Sequence, residues 1–344
     1  MTSLSTLYVP RHTATLSEAL EAWGIARLLC HVAPPSHHIV LHRTPNTFTI
    51  TIAPPLDTAP LANTPFWAPL PLLTNHPPRT SAIPIRHPAD EWTRAHTWRT
   101  TGERPPPPDW RTVAFLADPR LAVRQAYNRL ARKWEQCRAT WPHVLVSLLH
   151  AYTTADAPTR SYAQRLACAA KGTTTYTRFF FLHPDEHPPR EEPDWLREYV
   201  RALGFFTAAT PRIHRHRQEY TLFWLEPIHV EMRQHMQLFD MFNQQCGDSP
   251  CGILPLIAAF TLARLCTHAP APFPPRYALH IATYSVPRRG AVILQKHTTP
   301  AVPLPPSHHD AAARHFWSLL LSAHIALLKT GGVSPAFLAH CSRW

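Results

Sequence analysis

Between residues 120 and 138 the chain reads RLAVRQAYNRLARKWEQCR, and the apolar positions Val123, Tyr127, Leu130, Trp134 and Cys137 fall four, three, four and three apart. That period predicts a helix with one buried stripe, which Trp141 extends. Thr15 and Glu18 form a capping box for an earlier helix to about Cys30, with Leu16, Leu20 and Trp23 facing inward. Further helices are predicted from Pro142 to Tyr152, from Pro158 to Lys171 with Gly172 as the stop, and over WLREYVRALGFF behind an Asp194 cap.

Other stretches alternate or cluster as strands do. HHIVLHR and TFTITIA, separated by Thr44, Pro45 and Asn46, predict a hairpin, so the chain is expected to open as helix, strand, strand. Proline dominates from Pro54 to Pro108, where extended loops are expected with a short helix near Asp90 to Trp98. RTVAFLADP, TTTYTRFFFL and EYTLFWLEP have strand composition, the last following a basic turn, RIHRHRQ. Beyond Pro227, VEMRQHMQLFDMFNQQ, GILPLIAAFTLARLC and DAAARHFWSLLLSAHIALLK predict helices with broad apolar faces. YALHIATYSVPRRGAVILQKH between them predicts a hairpin with a cationic tip. The expected class is α+β: a mixed N-terminal domain over 1–226 with short β-hairpins, and a mostly helical C-terminal bundle over 227–344 with an inserted hairpin.

Composition sharpens this picture in one respect, charge. The 344 residues are 45% hydrophobic, enough to bury a sizeable core, and carry a formal charge of +12. Only Lys133, Lys171, Lys296 and Lys329 among the 34 basic residues are lysine. Arginine's planar fork suits phosphates, although GC-rich coding produces the same bias, and the abundance of histidine and proline, without function. The seven cysteines are odd in number and lack a C-x-x-C, which points to reduced thiols. The N-terminus lacks the pattern of a signal peptide, and the run FWSLLLSAHIALL at 316–328 is shorter than a bilayer span, so a soluble, cytoplasmic chain without membrane contact is expected.

The cations are clustered. Arg120, Arg124, Arg129, Arg132, Lys133 and Arg138 share one segment with a single carboxylate, Glu135. Like charges three or four positions apart cost a few tenths of a kcal/mol per pair, so an external anion is expected to offset them. A solvated face, or pairing with carboxylates elsewhere in the fold, is the alternative. Arg160, Arg165, Lys171 and Arg178 continue the cluster, Arg212, Arg215 and Arg217 form another beside His214 and His216, and Arg288 and Arg289 occupy the hairpin tip. Eleven cations face three carboxylates between Arg111 and Arg178, so two-thirds of the formal excess lies there. These are candidate nucleic-acid contacts, with Trp110, Trp141, Tyr162 and Tyr176 able either to stack on bases or to pack in the core.

Catalytic chemistry nominates no residue. His229, Glu231 and His235 lie close in sequence but lack a third helical ligand, and Cys246 and Cys251 would need partners from elsewhere. His308, His309 and Asp310 resemble a phosphohydrolase dipeptide, with a helix N-cap as the simpler role for Asp310. KGTTT at 171–175 lacks a phosphate loop's upstream glycine, and no G-x-S-x-G occurs. No metal or cofactor is assigned, and the chain is not expected to be an enzyme.

Two stretches, TLSEALEAWGIARLL and WLREYVRALGFFTAATPRIHRHRQEYTLFWLEPIHVEM, resemble divergent large subunits of type I CRISPR effector complexes, the Cascade assemblies. The resemblance covers about a sixth of the chain and its motifs are soft. It implies a mixed N-terminal domain, a C-terminal helical bundle, and a non-catalytic role. Such a subunit contacts guide RNA and target DNA, inspects the duplex motif beside the target, joins other subunits of a ribonucleoprotein complex and supports a helicase-nuclease. Sequence itself is read by base pairing. No motif-reading residue can be aligned. The alternatives are a metal-dependent nuclease or phosphohydrolase using the histidine clusters, and a structural subunit whose arginines pair with acidic protein partners.

Overall fold

A computed structural model describes residues 3–11, 16–70, 123–154, 195–214, 219–246, 254–269, 274–285, 293–303 and 311–330. The chain opens on a strand, β1 (Ser3–Pro10), that the sequence pattern did not reveal. A register shift between Leu4 and Thr6 breaks the alternation by which it would have been recognised. Helix α1 (Leu16–Val32) follows, then the expected hairpin of β2 (His38–Arg43) and β3 (Thr47–Asp57) and a short 3-10 turn at Ala59–Asn63. The basic segment forms α2 (Val123–Gln136), continued by a 3-10 turn at Arg138–Thr140 into α3 (Trp141–His150). The remaining elements are α4 (Trp195–Ala208), β4 (Ala209–His214), β5 (Glu219–Glu231), α5 (Met232–Gln245), α6 (Leu254–Thr267), β6 (Arg276–Ser285), β7 (Ile293–Thr298) and α7 (Ala311–Thr330).

The fold is α+β, built on one antiparallel sheet in the order β1-β3-β2-β5-β6-β7, with β4 also paired to β5. Strand β5 joins the two parts of the chain. One edge meets β2 at Val230↔Leu41 and then β4 at Trp224↔Ala209, and the other meets β6 from Glu219↔Ser285 to His229↔Arg276. The boundary expected after Glu226 therefore falls inside a strand, and the hairpin expected as an insertion in a helical bundle is β6–β7, part of the shared sheet. Pro227 marks a register shift within β5, where a missing N–H is tolerated. Arg212 to His214, expected in a turn, belong to β4. The expected strands RTVAFLADP and TTTYTRFFFL and the helix from Pro158 to Lys171 lie outside the described residues.

Helix α1 is buried on nearly all sides, including Glu18 and Glu21, because it packs against β1, β2 and β3 and also against α4. It crosses α4 through two glycines. A Cβ on Gly24 would lie 1.9 Å from the Val200 carbonyl oxygen, and one on Gly204 would lie 1.8 Å from that of Leu20, so neither helix admits a side chain there. The main core cluster among the described residues runs from Leu4 to Tyr284, through both parts of the chain.

A smaller cluster joins α6 to α7 through Ile257, Ile325 and Leu328. Elsewhere α7 exposes Phe316 (67%), Leu319 and Leu327. The apolar run at 316–328 lies within α7, the helix that the sequence predicted over 310–329. Ala311–Lys329 is long and apolar enough to cross a membrane by length and composition, and only 17% of its most apolar window is buried.

Candidate nucleic-acid interface

Helix α2 forms as its period predicts. Tyr127, Leu130 and Trp134 are buried, and Cys137 just beyond the helix is buried too. Trp134 stacks on Tyr199 of α4 with centroids 4.0 Å apart and planes 6° apart, meets Trp141 edge-on at 4.8 Å, and donates its indole N–H to the Trp67 carbonyl at 2.7 Å. Trp141 is therefore a core residue. Trp110, Tyr162 and Tyr176 lie outside the described residues.

The cations occupy the rest of the helix, but not equivalently. Arg129 and Arg132 are exposed, one turn apart. Lys133 is half-buried, with its ammonium 5.8 Å from the Trp195 ring centroid, so it has a structural use as a cation over an aromatic face. Arg138 donates to Glu135 from Nε at 2.8 Å and lies 4.5 Å from the Phe66 ring centroid, while keeping a side chain 62% exposed. The exposed ion pair contributes little to stability. Arg124 and Arg212 lie on α2 and β4. Arg120, Arg160, Arg165, Lys171, Arg178, Arg215, Arg217, Arg288 and Arg289 lie outside the described residues, so α2 alone carries a described set of the predicted contacts.

A second basic cluster escaped the sequence. The buried carboxylate of Glu226 on β5 accepts from Arg11 Nε at 2.9 Å on one oxygen, and from Arg43 Nη1 at 3.0 Å and His280 Nε2 at 2.9 Å on the other. Burial pushes this carboxyl's pKa up, but the hydrogen bonds from His280 and Arg11 and the charge of Arg43 outweigh it and hold it at about 2. The carboxylate can only accept, so His280 carries a proton on Nε2, and its Nδ1 shares a hydrogen bond with His297 Nε2 at 3.2 Å. The contributing residues come from five separated stretches of chain, and their only local signal was ordinary strand alternation.

The other histidine candidates have structural roles. His235 is fully buried, stacked on Trp23 at 3.9 Å, with Nε2 donating to the Thr207 carbonyl at 2.9 Å and Nδ1 accepting from the Tyr277 hydroxyl at 3.1 Å. Burial lowers its pKa to about 3, against the opposing Thr207 hydrogen bond and with help from the Arg27 charge. Glu231 caps α5 by accepting from the Gln234 amide at 2.8 Å, and His229 meets His42 across the β2–β5 pair. The set His229, Glu231 and His235 is thus divided among a strand, a cap and the core. No group of three His, Cys, Asp or Glu able to hold a metal occurs among the described residues. His308, His309, Asp310 and Cys251 lie outside them.

Glu21 completes the buried electrostatics. Its carboxylate accepts from Arg197 Nε at 2.6 Å, Arg201 Nε at 3.2 Å and the Tyr152 hydroxyl at 3.0 Å, while Arg201 also donates to Glu198 at 2.8 Å. These bonds tie α1 to α4 and to the end of α3. Both arginines of this network lie on α4, where they neutralise Glu21 and Glu198.

No protein-family model, curated protein or solved structure matches this chain.

Proposed function

We propose that the chain is a non-catalytic nucleic-acid-binding subunit of an RNA-guided DNA surveillance complex, contacting guide RNA and target DNA including the flanking duplex motif and supporting recruitment of a helicase-nuclease. The observation that carries the binding part is the division of α2. Its aromatic stripe is consumed by the core, whereas Arg129 and Arg132, with Arg138 in the turn that follows, remain on the exposed side. Guanidinium forks suit phosphate oxygens, and a group of cations gains affinity for a polyanion by releasing its counterions. Assignment to an RNA-guided complex rests on the resemblance of the α1 and α4–β5 sequences.

The test is equilibrium binding of the full chain to a labelled RNA and a labelled DNA duplex across a salt series. The logarithm of affinity should fall linearly with log salt, by about 0.9 for each duplex phosphate neutralised and about 0.7 for each single-strand phosphate. Replacing Arg129 and Arg132 together by Ala should weaken binding to both probes and flatten the slope by about one per lost contact. Absence of binding at low salt would overturn the proposal and favour arginines that pair with an acidic protein partner.

A further inference from the structure

The Glu226 cluster has features that an internal ion pair does not require. A single carboxylate holds two permanent cations, so the group keeps a net positive charge before either imidazole is protonated. Arg11 gives the protein its Nε–H and, through Nη1, a bond to the Pro45 carbonyl, and Arg43 gives one Nη1 bond. Each guanidinium carries five donors, so most N–H groups on both have no acceptor among the described residues. Their side chains are 19% and 28% exposed, while that of Glu226 beneath them is 7% exposed. The carboxylate fixes the forks and leaves their remaining donors for an anion.

Beside them lies a flat aromatic surface. The His280 and His297 rings are hydrogen-bonded edge to edge and lie within 11° of one plane, with centroids 5.4 Å apart. Both are parallel to Trp224 within 10° and rest on it at centroid distances of 4.9 and 5.3 Å. Two coplanar imidazoles have about the footprint of a purine, and Trp224 backs them from the protein side. His297 is exposed and His280 partly so. Glu226 ties the plate to the forks, because His280 and Arg43 share its second oxygen.

We propose that this cluster binds one nucleotide unit of a single-stranded nucleic acid, with the phosphodiester on Arg11 and Arg43 and the adjacent base stacked on the His280–His297 plate. This rests on the nucleic-acid role proposed above and adds a second site on the sheet, of a different kind from the backbone contacts of α2. A duplex has its bases already stacked and cannot use the plate, so the site discriminates single strands.

The experiment measures binding of the full chain to three labelled probes: a ten-nucleotide RNA, an abasic ribose-phosphate strand of equal length, and a hairpin duplex. His297→Ala should weaken binding of the RNA by roughly tenfold and leave the abasic strand and the duplex unchanged. Arg43→Gln should weaken both single strands and reduce the salt slope by about one, which a purely structural arginine would not do. His297 is exposed, so its variant serves even if Arg43→Gln fails to fold. Unchanged RNA affinity in H297A overturns the inference. If Arg129→Ala with Arg132→Ala abolishes binding while H297A and R43Q bind as wild type, the sheet site falls and the α2 role stands. If the unaltered chain binds none of the probes, both fall.

Discussion

Gly204→Ala is the substitution for which two opposing effects can be weighed directly. Alanine is the better helix former by about 1 kcal/mol, so at an open position in α4 the change would stabilise the chain. Here the new methyl would lie 1.8 Å from the Leu20 carbonyl oxygen and 2.6 Å from the carbonyl carbon. That oxygen belongs to the α1 backbone and cannot swing aside as a side-chain tip would. Restoring ordinary contact needs the helices to separate by roughly 1.5 Å, and a gap of about half that already forfeits a quarter to a half of each affected dispersion contact. The interface losing them includes Leu20 and Val200, both buried. Overpacking of this kind costs more than the usual 1–3 kcal/mol, and we expect a net loss of about 4 kcal/mol. Thermal unfolding followed by fluorescence should show a Tm lower by about 5 °C. A Tm equal to or above that of the unaltered chain would mean that helix propensity wins and that the crossing is not tight. Gly24→Ala meets Val200 at the same crossing, so the double variant should lose less than the two single losses combined.

Three further outcomes follow from the buried charges. Glu226 is held at about 2, below its unfolded value, so its stabilisation is fully present above about pH 5 and is lost as pH falls toward 2; Glu226→Gln should remove about 3 kcal/mol of acid sensitivity in denaturant titrations over that range. His235 is held neutral with its pKa at about 3, so the unfolded chain takes up a proton first as pH falls below about 6.5; unfolding free energy should fall by about 1.4 kcal/mol per pH unit below that point, and His235→Gln should reduce this slope. Glu21→Ala would leave Arg201 with Glu198 alone and the Tyr152 hydroxyl without its acceptor, and should cost about 3 kcal/mol by chemical denaturation, whereas Arg197→Gln, at a side chain 32% exposed, should cost clearly less.

What was legible in the sequence was local. The stripe from Tyr127 to Trp134 announced α2 and its buried side, and Thr44 to Asn46 announced the β2–β3 hairpin, because each signal is complete within a few residues. Pro227 was misleading, since proline ordinarily ends a strand and here occupies an irregularity inside one. The use of each cation was equally hidden. Lys133 looked like its neighbours until Trp195 was seen beneath it, and Arg11, Arg43, Glu226, His280 and His297 have no common pattern at all. Convergence of distant residues on one carboxylate is a property of the sheet's register, which no single segment specifies.

The position of β5 also sets a schedule for synthesis. Strands β1, β2 and β3 can pair as soon as they emerge, but α1 lacks α4, and β2 lacks its second neighbour, until roughly 160 further residues have followed β3, about 8–30 s at ordinary elongation rates. Over that interval a helix made to be buried on nearly all sides and an open sheet edge are without their native cover, and non-local pairing is slow even once the chain is complete. Yield should therefore depend on how the nascent chain is shielded, and slower expression at low temperature or co-expressed holdase chaperones should recover more folded protein than any change to the buffer of the finished chain.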